Sequence, residues 1–284
     1  MRRLVLWVAL AAAAFAADAP LLERARELYN RTEYEAALRI LGSIANKDSG
    51  TYLLMGQCQY MQGDVKKASE LFLKAVGLKS GDSDYWMWLG RAYGRRAETS
   101  SFLTAPGYAV KARENLEKAV QLNPRNLEAI SDLFEYYLDA PGFLGGGLDR
   151  AAALIKRVGE LNPAEYHWAQ ARLAERRKEY QTAEQQFRRA ADLAPRQIGR
   201  VIDLAKFLAR AGRYQESEEA FRRAERIDAN APKLLFERAS TYIRTGRNLE
   251  LARELLKRYL EASLTPDDPP RKQAEKLLRS ASSS

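Results

Sequence analysis

The sequence predicts an all-α protein in which short helical hairpins stack as a solenoid, and three observations support this class. From Leu21 onward, apolar residues recur at the spacing of amphipathic helices. The helical segments come in pairs, and the pairs repeat along the chain. With 29% charged and 46% hydrophobic residues, the composition is that of a folded chain. One hairpin is too short to bury its own apolar stripe, so neighbouring copies must cover it.

The segment Thr51–Ser80 shows the unit most clearly. Gly63 is expected to end its first helix, helix A, because a residue without Cβ enters the left-handed region at little cost. Asp64 then opens the second helix, helix B, where a carboxylate can accept bonds from free backbone N–H groups. Gly56 on helix A and Ala68 on helix B are small, which lets the two helices approach closely.

Six further hairpins follow the same plan, with variations. In chain order, the seven copies are expected over Leu21–Ala45, Thr51–Ser80, Asp84–Pro124, Leu127–Pro163, Tyr166–Pro195, Val201–Ala229 and Leu234–Ala262. After the proline-rich stretch Pro266–Pro270, the segment Arg271–Ala281 is predicted to form one charged helix that covers the open end of the stack.

The expected domain organisation is a leader over residues 1–16, a solenoid over 17–265, and a capping helix with a frayed tail over 266–284. Two insertions, at 97–109 and 139–147, separate helix A from helix B in the third and fourth hairpins. Both are rich in Pro, Gly and Ser, so we expect loops that project from one edge and add a contact surface.

The N-terminal residues have the pattern of a secretory signal peptide. Arg2 and Arg3 precede the apolar run Leu4–Phe15, and the small residues Ala14 and Ala16 suit cleavage after Ala16. The run is short for a membrane span, which needs about 20 residues. We therefore predict export, in a bacterium to the periplasm, with an uncleaved membrane anchor as the alternative. Cleavage leaves 44 basic and 37 acidic residues, a net charge of about +7.

The hairpins resemble the tetratricopeptide repeat, a helix-turn-helix unit of about 34 residues. The helix A pattern is matched in the third hairpin by Trp86, Leu89, Gly90 and Tyr93, and the helix B pattern by Ala112, Leu116, Ala119 and Pro124. The helix B alanine recurs as Ala37, Ala68, Ala112, Ala151, Ala183 and Ala252, with Ser217 in the sixth hairpin. The resemblance covers nearly the whole chain after the leader. It implies a right-handed α-solenoid of about seven hairpins plus the C-terminal capping helix.

No residue pattern points to catalysis, a cofactor or a metal. His167 is the single histidine, so the sequence offers no multi-histidine metal site and no pattern of a histidine-based catalytic triad. Cys58 is the single cysteine and is expected to be a half-buried core residue. The Gly145–Gly147 run lacks the Lys-Ser/Thr of a phosphate-binding loop and is interpreted as a turn, with Asp149 capping the next helix. We predict a protein that is not an enzyme.

The resemblance also implies where a partner binds, because helix A of each tetratricopeptide repeat lines the concave groove. The groove residues expected on this basis are Arg26, Tyr29, Gln57, Tyr60, Met87, Trp88, Arg91, Glu135, Trp168, Arg172, Lys206, Phe236 and Ser240. Arg95, Arg176 and Arg210 lie one turn further along their helices. The groove is predicted to be basic in hairpins 3, 5 and 6, and acidic in hairpin 4. A carboxylate clamp of the chaperone-binding type is not expected, because Leu54 and Trp88 stand where its Asn would be.

These features predict a protein or peptide as the partner, with acidic ones among the candidates, and a scaffold role in cell-envelope assembly. No small-molecule substrate is expected, nucleic acid is disfavoured, and membrane contact is expected only through the leader. Three alternatives remain open: a binder of anionic polymers (acidic polysaccharide or nucleic acid), a permanent subunit of an envelope complex, and an enzyme with an unrecognised site. Steep salt dependence of binding distinguishes the first, and co-purification that resists high salt distinguishes the second.

Overall fold

The computed structural model describes residues 18–282, and every regular element within that range is a helix. The chain divides into two compact units at Leu133–Phe134, a boundary inside one helix. The predicted signal peptide at 1–16 and the last two serines lie outside the described residues. The all-α class, the succession of helical hairpins and the terminal helix agree with the prediction.

The first unit contains three hairpins and the start of a fourth. Its helices are α1 (18–30), α2 (Tyr34–Ser43), α3 (Ser49–Met61), α4 (Val65–Leu78), α5 (Ser83–Thr99), α6 (Ala105–Leu122) and the first half of α7 (Leu127–Asp139). As predicted, Asp64 caps α4, because its side chain accepts a hydrogen bond from the Lys67 backbone N–H at 3.1 Å. Asn126 caps α7 in the same way, through the Ala129 N–H.

The second unit completes the fourth hairpin and adds three more. Its elements are the end of α7, a short 3₁₀ helix (Gly142–Leu144), α8 (Leu148–Leu161), α9 (Pro163–Arg176), α10 (Tyr180–Leu193), α11 (Ile198–Arg210), α12 (Tyr214–Ile227), α13 (Pro232–Thr245), α14 (Leu249–Glu261) and α15 (Arg271–Ser282). Helix α15 packs on α14 with Ala274 fully buried, and Arg253 donates to the Ala281 carbonyl at 3.0 Å. The predicted capping helix is therefore confirmed.

Small residues bring the two helices of each hairpin together. The predicted helix B alanines are all buried. In the sixth hairpin, Ser217 takes the alanine's place and donates to the Ala205 carbonyl at 2.8 Å, which satisfies its hydroxyl. A Cβ built on Gly56 would lie 2.5 Å from the Phe72 ring, and one on Gly90 would lie 2.8 Å from Leu116. Only glycine fits these two crossings.

The insertion predicted as a loop at 97–109 is mostly helical, which corrects that expectation. Helix α5 continues to Thr99, α6 begins at Ala105, and only residues 100–104 form a turn. The end of α5 packs on the start of α6, because the Arg96 guanidinium lies 4.1 Å from the Tyr108 ring centroid. Arg96 also donates to the hydroxyl of Ser69 on α4 at 2.9 Å. At the turn, Phe102 is 83% exposed and Leu103 is 77% exposed, so neither belongs to the core.

The second insertion, at 139–147, is a compact hydrogen-bonded loop. The Gly147 N–H donates to the Tyr137 carbonyl at 2.8 Å, and the Tyr136 hydroxyl donates to the Leu144 carbonyl at 2.9 Å. A Cβ on Gly146 would lie 1.8 Å from the Ala140 carbonyl oxygen. The predicted cap at Asp149 is wrong, because Gly147 occupies the N-cap position of α8 and Asp149 lies within its first turn.

Candidate functional site

Helix A of the third hairpin, α5, carries a closed cluster of aromatic and charged side chains in the first unit. Trp88 packs edge-on against Tyr60 at 5.6 Å and lies 5.9 Å from the Phe72 ring. The Arg91 guanidinium lies 4.9 Å from the Trp88 ring centroid. We call this set, completed by two acidic residues of α7, the Trp88 cluster.

The acidic residues of α7 neutralise Arg91 completely. Its Nε donates to Asp132 Oδ2 at 2.5 Å, and its Nη2 donates to Glu128 Oε2 at 3.0 Å. Burial alone would lower the pKa of Arg91, but its two carboxylate partners raise it above the ordinary value. Burial raises the pKa of Asp132, and the attraction of Arg91 only partly opposes that rise. This cation is a structural element, not a free binding group.

The second unit repeats this pairing between consecutive A helices. Arg172 on α9 forms a two-pronged pair with Glu135 on α7, at 3.2 and 2.8 Å. One repeat later, Arg210 on α11 donates two hydrogen bonds to the Glu175 carboxylate on α9, at 2.8 and 3.0 Å. Burial raises the pKa of Glu135, while Arg172 lowers it in part.

Three further cations of the second unit also have partners. Arg176 donates twice to the Leu138 carbonyl, at 3.1 and 3.0 Å, and pairs with Asp139 at 3.3 Å. The Lys206 ammonium lies 2.7 Å from Glu237. Arg200 lies 4.8 Å from the Trp168 ring centroid and pairs with Glu165 and Asp203. The stripe predicted to be basic is therefore a ladder of ion pairs, in which each helix A neutralises its neighbour.

Two cavities open beside this ladder, and we call them the ladder cavities. The smaller, of about 340 Å³, is lined by residues that include Glu135, Trp168, Arg172, Asp203, Lys206 and Arg244. The larger, of about 770 Å³, is lined by residues that include Asp139, Glu175, Arg176, Tyr180, Arg210 and Arg244. Most of the lining side chains of both cavities belong to A helices, and each lining combines charges of both signs with aromatic rings. Such a surface can accept backbone groups, charged side chains and apolar groups of an extended chain.

Comparison with known families decides what kind of repeat this is. Residues 145–198 and 202–269 match the tetratricopeptide repeat family model. Over these two segments the chain is similar to the tetratricopeptide repeat family. Such repeats generally mediate protein–protein interactions, and proteins built from them are typically non-catalytic scaffolds. No curated protein matches the sequence.

Solved structures support the tetratricopeptide fold. A tetratricopeptide repeat protein from Parabacteroides merdae is 16% identical, with a TM-score of 0.60 over 94% of this chain and 99% of that one. A thermophilic tetratricopeptide protein of Thermus thermophilus is 23% identical, with a TM-score of 0.56 over 67% of this chain and 98% of that one. At these identities the likeness concerns the fold alone.

No helix between residues 18 and 282 has both the length and the apolar character needed to cross a membrane. Over the same residues, no group of three or more histidine, cysteine or acidic side chains could hold a metal ion.

The residues predicted for the tetratricopeptide groove divide into three groups. Trp88, Arg91 and Tyr60 come together in the Trp88 cluster. Glu135, Trp168, Arg172 and Lys206 come together at the ladder cavities, with Arg176 and Arg210. The others belong to neither set: Arg26 is exposed, Gln57 and Ser240 are half-buried, and Tyr29, Met87 and Phe236 are buried. Tyr29 packs against Tyr34 at 5.6 Å in the core of the first hairpin.

The residues of the ladder cavities that the sequence did not predict include Tyr180 and Arg244. Tyr180 is 57% exposed at the start of α10, and Arg244 is exposed near the end of α13. A signal for Arg244 was present, since it follows Arg176 and Arg210 at intervals of 34 residues, the length of one repeat.

Proposed function

We propose that this protein is an exported tetratricopeptide scaffold that binds a protein or peptide segment in the cell envelope. The observation that carries the proposal is the pair of ladder cavities. Aromatic rings and paired charges, most of them on the A helices of consecutive repeats, line both cavities. The leader sequence supports export, because a basic start, a short apolar run and small residues are typical of a cleaved signal.

The ion-pair ladder favours a peptide over an anionic polymer as the partner. A polyanion is held by several cations that release counterions, so it needs cations without carboxylate partners. At the ladder cavities Arg172, Lys206 and Arg210 each have a carboxylate partner already. The same pairs hold their side chains in defined positions, which reduces the ordering cost when a peptide binds.

Export is tested by the mass of the protein purified from its native host. We expect a chain that begins after Ala16, recovered in the periplasmic fraction. An intact Met1 on membrane-bound protein would favour the anchor, and an intact chain in the cytosol would contradict export.

Binding is tested by capture from an envelope extract, with a variant in the larger ladder cavity. Tyr180 lines that cavity and is largely exposed, so Tyr180→Ala should weaken capture without a change in thermal stability. A matched control exists one repeat later: Tyr214 stands 34 residues on, lines a different cavity, and is also exposed. Tyr214→Ala should leave capture unchanged.

Two other results would change the proposal. Equal capture by both tyrosine variants and the wild type would remove the ladder cavities as the binding surface. A partner that co-purifies from the host and remains bound at about 1 M salt, where exposed charges are almost fully screened, would indicate a permanent subunit.

A further inference from the structure

Arg244 lacks the ion pair that the equivalent arginines of the two preceding repeats form, so the ladder of ion pairs ends before it. Arg176 and Arg210 end α9 and α11, and each pairs with a carboxylate of the preceding helix A. Glu175 precedes its partner Arg210 by 35 residues. The residue at the same interval before Arg244 is Ala209, which has no carboxylate to offer. Within residues 18–282, Arg244 has no ion pair, hydrogen bond or ring contact.

This unpaired cation lies where both ladder cavities meet. Arg244 lines the smaller and the larger cavity alike, and it shares that position with Arg172 and Arg210. Those two arginines are held by Glu135 and Glu175. The uncompensated charge of the combined surface is therefore the guanidinium of Arg244.

The carboxylates around the two cavities are already engaged. Glu135 and Glu175 hold Arg172 and Arg210, Asp139 pairs with Arg176, and Asp203 with Arg200. The linings of the two cavities carry five cations and four carboxylates, and every cation except Arg244 is paired, so a polyanion would find little uncompensated positive charge. A ligand with one carboxylate can pair with Arg244 and leave the ladder intact.

We propose that Arg244 is the anchor for a carboxylate of the bound peptide. The ligand then supplies the acidic partner that Ala209 lacks, and it continues the ladder by one step. The carboxylate belongs either to an Asp or Glu side chain or to a C-terminus. This inference rests on the proposed function, since it names the chemistry of the partner at the same cavities.

The test begins with peptides selected by mRNA display from a random library against the full protein purified from its host. We expect the selected peptides to be enriched in Asp or Glu, or to bind through a free C-terminus. The strongest binder is then synthesised in three forms: unchanged, with each acidic side chain replaced by its amide, and with an amidated C-terminus. The form that loses about tenfold or more in affinity identifies the source of the carboxylate.

Three protein variants decide whether Arg244 is the anchor. Arg244→Gln should lose about tenfold or more in affinity for the unchanged peptide and bind the weakened form as the wild type does. Ala209→Glu should restore the ladder within the chain and compete with the ligand, with a similar loss. Arg189→Gln is the matched control, because Arg189 is an exposed arginine of α10 that lines neither ladder cavity. It should bind as the wild type does.

The outcomes separate this inference from the function on which it rests. If no peptide is selected, the proposed function fails and the inference fails with it. If peptides are selected but show no acidic preference, or if Arg244→Gln binds them as well as Arg189→Gln does, the anchor is wrong while peptide binding stands. Circular dichroism of each variant confirms that a lost affinity is not a lost fold.

Discussion

The Trp88 cluster and the ladder cavities use the same residue types on equivalent helices, yet one is closed and the other is open. In the first unit, Arg91 meets two carboxylates of α7 and covers a tryptophan. In the second unit, Arg244 meets no acidic residue and lines two cavities. Whether a helix A arginine stabilises the array or remains available to a ligand depends on the carboxylate of the neighbouring repeat. The identity of the arginine alone does not determine its role.

The largest effect that tests this comparison is expected at the base of the closed cluster. A Cβ on Gly56 would lie 2.5 Å from Phe72, whose ring supports Trp88. Gly56→Ala should therefore displace both rings and destabilise the protein by about 1–3 kcal/mol, as overpacking does. Urea denaturation followed by circular dichroism measures the change. The control is Gly77→Ala on α4, where a Cβ meets nothing within 4 Å, and its stability should be unchanged or slightly higher.

A second difference is expected between the two arginines. Arg91→Met leaves Asp132, which is largely buried, without its main partner, and this should cost about 1–3 kcal/mol. Arg244→Met removes an exposed and unpaired charge, so its stability should stay within about 0.5 kcal/mol of the wild type. Chemical denaturation of both variants in the same buffer provides the measurement. Equal losses would mean that Arg244 is also structural, and the contrast between the two regions would fail.

The smallest effect concerns the pH dependence of the closed cluster. Burial raises the pKa of Asp132 above its ordinary value of 3.8, so the folded protein binds this proton more tightly than the unfolded chain does. This carboxyl therefore makes the free energy of unfolding fall as the pH rises from 3.8 through the raised pKa. The Asp132→Asn variant lacks this titrating carboxyl group, so it lacks this contribution to the pH dependence of stability. The stability of the wild type relative to Asp132→Asn should decline as the pH rises above about 4. A difference that grows with pH would show that Arg91 outweighs burial.

The hairpins could be predicted because their determinants are local. Helical spacing, the helix B alanines and Gly56 each act within one hairpin, and the structure confirms them. The loop expected at 97–109 was wrong because Pro106 and Gly107 were interpreted as helix breakers. Pro106 lies in the first turn of α6, where a proline has no N–H bond to lose.

Whether the cations of the predicted groove are paired could not be predicted, because it depends on ion pairs between neighbouring repeats. Arg91 and Asp132 are 41 residues apart, and their contact follows from how neighbouring A helices pack. The sequence shows both charges and not their alignment, so the groove was predicted to be basic in hairpins 3, 5 and 6. Tyr29, whose position in the repeat suggested the groove, is buried and packs against Tyr34 of its own hairpin.

Cys58 makes the opening of the first unit directly measurable. Its thiol is fully buried in α3, and burial raises its pKa to about 12. At neutral pH about one folded molecule in 10⁵ carries the thiolate, so alkylating reagents and oxidants have almost nothing to attack. Labelling therefore reports only molecules in which α3 has separated from its neighbours. The rate at which a maleimide modifies the native protein should follow the local opening of the second hairpin, without an added probe.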